Sequence, residues 1–566
     1  MAIAVSLCGG RLLQLQGFNS SAYAAASAGQ LTRTLPLLPS RGDITDRNGL
    51  VMASTEAAVA ITADPKLTTE RAGEIAEVLA TYLDIDQAKM VGLLTKPNTR
   101  FVYLKKKVPA AIYTKIAADL SQRDIYGIFR ENDPIRTYPG GSVGGGLVGF
   151  VGADGKGLAG LERSLNTELA GVEGQEKYES APNGSKIPLG ASVTTPATNG
   201  LNYQLTIDSE LQWMAERRLA AQVKKAAADY GFAITINIKT GEILAMANAP
   251  TVDSANPSAS EVEDRDNRAI TQAYEPGSVQ KVLTAAALID ATQNNPTAKR
   301  ITPETRVKIP SLLPSGGGRI KDHFSHGTVR YLMRGVMADS SNIGMALLAR
   351  QVDKATIHHY LTSFGLGART GIEGPGEATG EVPGADMADY TRDQIAFGQG
   401  LSVTGVQEAA ALAGILNDGS YHPPTLVKAA TDSNGKPVDV ARPPARQIVS
   451  AATSAHIRDL MQAVVDSRNG RANLSLEGYQ SGGKTGTAQR YEKSCGCYRG
   501  YVTSYVGFAP LNDPELLTYV VVNNPRSGDT GTSVSAPVYR DVMQLALPRY
   551  SVEPTTKRIK AKETKW

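Results

Sequence analysis

The sequence predicts a mixed α/β fold of the α+β kind, with a central antiparallel sheet, an inserted helical lobe and a separate N-terminal domain. Apolar, β-rich runs form two pairs that lie far apart in the chain: Phe232–Ile238 with Ile243–Ala247, and Tyr501–Phe508 with Leu516–Val522. Helical patterns fill most of the stretch between the pairs, from about 280 to 470. Early and late strands that flank a helical insertion are expected to pair in one antiparallel sheet.

The composition is that of an ordinary globular protein with several domains. The chain has 566 residues, of which 42% are hydrophobic and 20% charged, and domains contain roughly 100–200 residues. The net charge of +4 gives no general attraction to nucleic acid. No apolar run reaches the roughly 18 residues of a membrane span. Cys495 and Cys497 are expected in a plain surface loop, with a closely spaced disulfide or a transient metal contact as alternatives.

Local patterns predict the elements of the N-terminal part. We expect a helix within residues 11–40 that prolines end, a strand at Val59–Thr62 and a helix at Ala72–Leu83. Glycine is dense from Pro134 to Gly160, which indicates loops and turns rather than packed elements.

The second part of the chain begins and ends with clear signals. A strand at Leu205–Ile207 leads to Asp208, a favoured N-cap residue for a predicted long helix over Ser209–Tyr230. Near the other end, proline at the first position favours a helix over Pro537–Leu545. The basic residues 551–566 are expected to be disordered.

One short motif suggests a different chemistry. Gly478 followed by Gly483-Lys484-Thr485 fits the phosphate-binding pattern G-x-x-x-x-G-K-T. That pattern needs an apolar strand before it and, elsewhere, an aspartate that ends a strand and holds magnesium. A turn precedes Gly478 instead, and the best candidate strand, Tyr519–Val522, ends in two asparagines. The sequence therefore disfavours a nucleotide-binding site here.

The nucleophile pattern S-x-x-K occurs three times, at Ser278/Lys281, Ser433/Lys436 and Ser481/Lys484. Only Ser278 stands where the context fixes both side chains, because a turn precedes it and an Ala/Leu-rich helix begins directly after it. Residues three apart then share one helix face. The helix dipole favours a developing alkoxide, and apolar surroundings lower the pKa of an amine so that it can act as a base. The alternative is an ordinary N-cap serine beside a solvated lysine.

Two further patterns complete a set. Ser340-Ser341-Asn342 gives S-x-N 62 residues after Ser278, at the start of a predicted helix. Lys484-Thr485-Gly486 gives K-T-G another 144 residues on. Small residues flank this motif, so a substrate backbone could lie along an extended strand there. S-x-x-K, S-D-N and K-T-G, in this order, are the motif set of the serine enzymes that recognise penicillin.

With these residues the chain resembles a class B penicillin-binding protein, a peptidoglycan D,D-transpeptidase of the cell-division (FtsI) type, particularly from actinobacteria. The resemblance covers residues 10–548 and includes motifs outside the set: Arg41–Gly49 (RGDITDRNG), Arg136–Gly140 (RTYPG), Gly157–Glu162 (GLAGLE), Tyr274–Ser278 (YEPGS) and Phe397–Thr404 (FGQGLSVT). The middle motif reads Ser-Ser-Asn rather than Ser-Asp-Asn. Val279-Gln280 stands where Thr-Phe is usual, and we expect no chemical consequence of that departure.

The resemblance implies the chemistry. Ser278 would attack the carbonyl of a D-Ala-D-Ala stem peptide while Lys281 takes its proton. Ser340 would relay a proton to the departing D-Ala, and Asn342 would hold the amide of the acyl donor. The backbone N–H groups of Ser278 and Thr487 would form the oxyanion hole, which is worth about 3–4 kcal/mol per donor in acyl transfer.

The third motif, Lys484-Thr485-Gly486, would bind the substrate. Lys484 would bind the terminal carboxylate with Thr485 and Thr487, and Gly486 lies between them in the same substrate-binding strand. The amine of a second stem peptide, from meso-diaminopimelate or lysine, would then attack the acyl-enzyme. β-Lactams would acylate the same serine. This chemistry needs no metal ion or other cofactor, and no nucleic acid is expected as a partner.

The resemblance also implies an architecture and a location. The expected segments are a remnant of a membrane anchor (1–18), an elongated pedestal of the dimerisation type (19–200), the transpeptidase domain (201–548) and a basic tail (549–566). A start placed too late, or a truncated chain, would account for the short anchor. The catalytic domain would work outside the cell membrane at the division septum, with a glycosyltransferase of the FtsW type and other division proteins as partners.

Three alternatives remain at this point. A β-lactamase would need a carboxylate to activate a deacylating water, and Glu-x-x-x-Asn does not occur in residues 343–483. A non-catalytic or sensor-type penicillin-binding protein would keep the fold. Intact Ser278, Lys281 and Lys484 argue against the non-catalytic form, whereas a sensor would still be acylated. An elongation-type class B transpeptidase is the third alternative.

Overall fold

A computed structural model of the chain describes residues 32–180, 192–467, 473–492 and 494–566, together with residues 6, 10, 186, 187, 190 and 470. The predicted anchor remnant at 1–18 and the first part of the predicted helix in 11–40 lie outside the described residues. In the part of the chain that the structure describes, no helix combines the length and the apolar character that crossing a membrane requires.

The N-terminal part alternates strands and helices. Its strands are β1 (Thr32–Leu37), β2 (Ile44–Thr45), β3 (Val51–Glu56), β4 (Ala58–Ala63), β5 (Val102–Pro109), β6 (Ile128–Asn132), β7 (Ile135–Thr137), β8 (Gly174–Glu179), β9 (Ser192–Thr195) and β10 (Asn202–Leu205). Its helices are α1 (Pro65–Thr68), α2 (Ala72–Tyr82), α3 (Gln87–Leu94), α4 (Ala110–Gln122), α5 (Gly145–Val148), α6 (Gly160–Ser164) and α7 (Asn166–Ala170).

The second part carries the larger sheet and the lobe. Its strands are β11 (Tyr230–Asn237), β12 (Ile243–Ala249), β13 (Ala273–Tyr274), β14 (Arg306–Ile309), β15 (Leu313–Ser315), β16 (Gly318–Ile320), β17 (Val329–Leu332), β18 (Val403–Thr404), β19 (Ser420–Tyr421), β20 (Val427–Thr431), β21 (Pro437–Val438), β22 (Arg446–Gln447), β23 (Gly482–Glu492), β24 (Cys497–Ala509) and β25 (Leu516–Asn523). Its helices are α8 (Ser209–Lys225), α9 (Arg268–Thr271), α10 (Gln280–Asn294), α11 (Met333–Ala338), α12 (Asn342–Ala349), α13 (Lys354–Ser363), α14 (Asp389–Ile395), α15 (Gly405–Leu416), α16 (Ala451–Val465), α17 (Gly531–Val534) and α18 (Ala536–Arg549).

A five-stranded antiparallel sheet forms the centre of the second part, in the order β12-β11-β25-β24-β23. The predicted pairing of early and late strands is confirmed. Helices cover both faces: on one, Thr518 donates to the sulfur of Met543 in α18 at 3.1 Å. On the other, Phe232 lies against Gly405 at the start of α15. Strands covered on both faces read as continuous apolar runs, as β11 and β25 do.

Several local predictions hold, with shifted ends. The strand at Val59–Thr62 and the helix from Ala72 correspond to β4 and α2. Asp208 caps α8 by accepting from the backbone of Leu211 at 3.2 Å. This helix ends at Lys225 rather than Tyr230, because Tyr230 already pairs with Asn523 in the sheet.

Other predictions were wrong because pairing partners lie far along the chain. Residues 32–37 are not the end of a helix, since β1 pairs antiparallel with β8 over its whole length. The glycine-rich stretch 134–160 contains β7 and α5 besides its turns. The lobe is helical as predicted, but short strand pairs such as β14 with β17 and β15 with β16 interrupt it.

The basic tail is not disordered in this structure. The backbone N–H of Leu332 donates to the carbonyl of Thr564 at 3.0 Å. The indole N–H of Trp566 donates to the carbonyl of Tyr331 at 3.1 Å. The guanidinium groups of Arg306 and Arg330 lie over the same indole, and such cation–π contacts stabilise an exposed aromatic ring.

Cys495 and Cys497 form a disulfide at the tip of the hairpin that joins β23 to β24. The preferred prediction, a plain surface loop, was therefore wrong, and the disulfide alternative was right. The hairpin carries Lys484 on its first strand, so the cross-link stands at the far end of an active-site element.

Three motifs of the N-terminal part meet in one buried ion cluster. The side chain of Glu162 is fully buried. It accepts from Nε of Arg41 at 2.6 Å and from Nε of Arg136 at 2.7 Å. These residues belong to RGDITDRNG, RTYPG and GLAGLE, which explains why the three patterns occur together. The domain limit at residue 200 stays a prediction, and strands from both sides of it share the sheet β21-β20-β10-β2-β3-β7.

We expect Glu162→Gln to lower the free energy of unfolding by about 3–5 kcal/mol, because it leaves two buried guanidinium groups without a countercharge. Urea unfolding followed by circular dichroism measures the change. Asp154→Asn is the control, since Asp154 pairs with Lys156 on the surface and exposed pairs contribute about 0–1 kcal/mol. Equal unfolding curves for the two variants would contradict the prediction.

Candidate active site

The nucleophile stands in a tight turn before a buried helix. Ser278 lies in a 3-10 turn, Gly277–Val279, that continues directly into α10. No side chain caps either element, so Ser278 does not act as an N-cap residue. The turn is held from outside by Gly398, whose carbonyl accepts from the N–H of Gly277 at 3.0 Å. This placement leaves the hydroxyl of Ser278 half-buried and available.

Lys281 lies one turn along α10 and is fully buried. Its Nζ donates to Oγ of Ser278 at 3.0 Å, to the carbonyl of Ser340 at 2.5 Å and to Oδ1 of Asn342 at 2.7 Å. The alternative of a solvated surface lysine is therefore wrong. The amine is within proton-transfer distance of the one hydroxyl that the pattern predicts as nucleophile.

The turn between α11 and α12 brings the second motif to the same amine. Ser340 has a φ of +56°, which is uncommon for a residue with a side chain. Its Oγ lies 3.1 Å from Nζ of Lys281 and 2.9 Å from Nζ of Lys484. Ser341 caps α12 by accepting from the N–H of Gly344 at 2.9 Å. The Ser340 hydroxyl thus bridges the two lysines.

Lys484 reaches the site from β23, the edge strand of the central sheet. Its side chain is fully buried, and Nζ also donates to the carbonyl of Thr485 at 2.8 Å. The G-K-T stretch is thus part of a strand and does not open a helix, which excludes the phosphate-binding loop. Thr485 and Thr487 are more accessible than Gly486 between them, as the alternation of a strand requires.

Glycine is needed in β23 because neighbours lie too close for a side chain. A Cβ at Gly483 would stand 2.1 Å from the hydroxyl of Tyr505, and one at Gly486 would stand 2.1 Å from Oγ of Ser504. The Gly486 position also faces the carbonyl of Pro276 in the nucleophile loop. The close approach of strand and nucleophile turn therefore depends on Gly486, whereas Gly483 leaves room for the Tyr505 side chain of β24.

Burial sets the charge state of the site. The pKa of Lys281 lies well below its usual value, chiefly because the amine is desolvated and then because of the nearby charge of Lys484. Desolvation lowers the pKa of Lys484 to about 7. A neutral amine at Lys281 can accept the proton of Ser278, which is the state that a general base requires.

The structure brings together every predicted site residue: Ser278, Lys281, Ser340, Asn342, Lys484, Thr485, Gly486 and Thr487. It also adds residues that the sequence analysis did not single out. Glu275 accepts from the N–H of Gly400 at 2.9 Å and from the hydroxyl of Tyr498 at 3.2 Å, which ties the nucleophile loop to the hairpin tip. Asp322 binds the turn of the second motif. Glu275 could have been found in the sequence from its position directly before Pro-Gly-Ser. Asp322 belongs to no motif and could not have been found in this way.

Comparison with known proteins agrees with this geometry. Residues 231–544 match the family described as "Penicillin binding protein transpeptidase domain", and residues 36–205 match "Penicillin-binding Protein dimerisation domain". The chain belongs to the penicillin-binding proteins that carry these two domains, which is their class B branch. It is an enzyme of the D,D-transpeptidase class.

Relatives match along nearly the whole chain. It is 31% identical to penicillin-binding protein PbpB of Mycolicibacterium smegmatis, over 96% of this chain and 88% of that protein. It is 32% identical to stage V sporulation protein D of Bacillus subtilis, over 94% and 81%. Identity to peptidoglycan D,D-transpeptidase FtsI of Escherichia coli is 29%, over 98% and 91%. The predicted resemblance, including its actinobacterial character, is confirmed.

Solved structures show the same fold. A peptidoglycan synthetase from Bifidobacterium adolescentis superposes with a TM-score of 0.77 at 25% identity, covering 94% of this chain and 100% of that one. Penicillin binding protein 3 of Mycobacterium tuberculosis, complexed with aztreonam, superposes with a TM-score of 0.72 at 27% identity, covering 92% and 98%.

We expect Gly398→Ala to slow acylation by a penicillin about 100-fold, because its Cβ would stand 1.9 Å from the carbonyl of Gly277 and displace the nucleophile turn. Gly400→Ala is the matched control: both glycines have positive φ, but a Cβ at Gly400 meets nothing closer than 3.6 Å. Both variants carry the strain of a side chain at positive φ, Gly398→Ala should lose further stability through the clash, and only Gly398→Ala should lose reactivity in its folded molecules. Stopped-flow acylation and thermal unfolding separate these effects, and equal acylation rates would refute the expectation.

Proposed function

We propose that the chain is a peptidoglycan D,D-transpeptidase that cross-links stem peptides through an acyl-enzyme on Ser278 during cell division. The observation that carries the proposal is the fully buried amine of Lys281, placed 3.0 Å from Oγ of Ser278. Membership of the penicillin-binding transpeptidases supports the reaction class. Similarity to PbpB and FtsI, rather than an observed partner, supports the division role.

In the proposed acylation step, Oγ of Ser278 attacks the carbonyl carbon of the D-Ala-D-Ala bond. Its proton passes to the neutral amine of Lys281, and the negative charge develops on the carbonyl oxygen. The N–H groups of Ser278 and Thr487 are proposed to stabilise that oxygen. The C–N bond then breaks, and the leaving amine of D-Ala takes a proton from Ser340, which Lys281 replenishes. The bridging position of Ser340 between the two amines supports this route.

Substrate recognition is proposed for β23. Thr485 and Thr487 lie on its accessible face, and Lys484 supplies the cation for the terminal carboxylate, a charge-assisted contact. Asn342 is proposed to hold the donor's amide and to orient Lys281, since its Oδ1 accepts from Nζ of that residue. The amine of a second stem peptide completes the cycle by attacking the acyl carbon. The C–O bond to Ser278 breaks, and the proton that the amine loses returns to Oγ of Ser278.

We also propose that the catalytic domain works on the outer side of the cytoplasmic membrane at the septum. Its substrate is lipid-linked peptidoglycan, and a glycosyltransferase of the FtsW type that makes the glycan strand is the proposed partner. The similarity to division enzymes supports this location. The domain limits 19–200 and 201–548 are part of the same proposal.

The function is tested with a D-Ala-D-Ala substrate and an amine acceptor, with separation of the cross-linked product by mass. We expect the wild-type chain to form this product and to be labelled by fluorescent penicillin. Ser278→Ala should do neither, whereas Ser433→Ala and Ser481→Ala, which remove the other two pattern serines, should do both. Labelling without product would identify a sensor, and labelling of Ser278→Ala would remove that serine from the mechanism.

Lys281→Arg should reduce acylation by about 10²–10⁴-fold, because arginine keeps the charge but cannot lose its proton to act as a base. In the wild type, only the neutral amine accepts the proton. Acylation should therefore rise with pH through the lowered pKa of Lys281 and reach its plateau below the usual lysine range. Lys436→Arg, at the exposed lysine of another S-x-x-K match, is the control. Near-normal acylation by Lys281→Arg would rule out the base assignment.

A further inference from the structure

Asp322, in the loop between β16 and β17, bonds the start of α12 and a neighbouring histidine beside the active site. Its side chain is fully buried. Oδ1 accepts from the N–H of Ile343 at 3.0 Å, while Oδ2 accepts from Oγ of Ser341 at 2.6 Å and faces Nε2 of His326 at 3.1 Å. The neighbouring carbonyl of Lys321 accepts from the side-chain amide of Asn342 at 3.1 Å. Two consecutive loop residues thus hold all three positions 341–343.

From these contacts we propose that Asp322 is a positioning residue for the transpeptidase reaction, which fixes the Ser340–Asn342 turn and sets the electrostatic balance at Lys281. The proposal rests on the proposed function of Ser278 and Lys281. It assigns Asp322 no contact with substrate.

The turn needs an external restraint because its own geometry is unfavourable. Ser340 has a positive φ, and such strain persists only where surrounding contacts over-determine the backbone. The first N–H groups of α12 also lack partners within the helix. Ser341 satisfies the N–H of Gly344, and Asp322 satisfies that of Ile343. A carboxylate at this end of a helix is favoured by the helix dipole as well.

The composition of the motif fits this role. In the S-D-N form of the pattern the turn carries its own carboxylate. Here Ser341 occupies that position, and its hydroxyl donates to the carboxylate of Asp322, which comes from a separate loop. The chain therefore supplies a negative charge beside the turn from elsewhere in the fold.

That charge acts on the base. Two buried amines, Lys281 and Lys484, lie on either side of Ser340, and the charge of Lys484 disfavours protonation of Lys281. The charge of Asp322 opposes this effect and raises the pKa of Lys281 relative to a site without it. Five titratable groups among the described residues surround Asp322 and Lys281. They are His323 and His326 in the loop, Tyr331 in β17, Asp339 at the end of α11, and Lys484 in β23.

The test measures the rate constant of acylation by fluorescent penicillin across the whole pH range in which the protein stays folded. Asp322→Asn keeps the size and one acceptor oxygen but removes the charge. We expect its rate constant to fall about 10- to 100-fold through misplacement of the turn. Its acid limb should move to lower pH, because Lys281 loses a stabilising anion. A merely structural aspartate would lower the yield of folded protein without moving that limb.

Two further variants separate geometry from charge. Asp322→Glu keeps the charge but adds a methylene group, so its rate should fall while its acid limb stays near that of the wild type. Asp339→Asn removes a carboxylate next to Ser340 that bonds Tyr331 instead of the turn, and should resemble the wild type in both measurements. Unfolded molecules do not react, so they lower the labelled amplitude and leave the rate constant unchanged.

The outcomes are distinct. An Asp322→Asn variant with wild-type rate and wild-type acid limb overturns the proposal. A reduced rate with an unmoved acid limb overturns the electrostatic role. If the wild type is not labelled, or Ser278→Ala is labelled, the proposed function itself fails, whatever the Asp322 variants show.

Discussion

The complete burial of two lysine amines is the constraint on which the active site depends. Burial favours the neutral form of an amine, and the N–H groups of a buried amine still need hydrogen-bond acceptors. Lys281 meets this demand with oxygen atoms from Ser278, Ser340 and Asn342. Each acceptor must stand within about 3 Å of one nitrogen, so small displacements of any contributing segment are costly.

The fold brings the two amines and their acceptors together from three distant parts of the chain. The buried helix α10 carries the base, the strained turn that leads into α12 carries Ser340, the first position of α12 carries Asn342, and the edge strand β23 carries Lys484. Glycine at 486 lets the strand approach the nucleophile turn, and the central sheet holds that strand in register with β24. A site whose atoms must be placed this accurately requires rigid elements whose side chains are fixed by packing.

The sequence predicts residues whose role depends on their neighbours in the chain. It does not predict roles or elements that depend on contacts with distant residues. Ser278 with Lys281, the Ser340 turn and Lys484 could all be predicted because each residue stands at the start of a recognisable element. The role of Asp322 could not, since nothing near it marks a partner 19 to 21 residues away. The same reason explains why residues 32–37 were assigned to a helix, because their partner strand begins at Gly174. An observed helix is shorter than the predicted one where its last residues pair in a sheet instead, as Tyr230 does.

The placement of the final residues has a mechanical consequence for the catalytic domain. Thr555 bonds the backbone of Gly478 and Gln480 just before β23, and Thr564 bonds Leu332 just before α11. The chain end therefore spans from the strand that presents Lys484 to the helix that leads to Ser340. Its hydrogen bonds tie the sheet to the lobe, so a cut in this segment would loosen the supports of both Lys484 and Ser340.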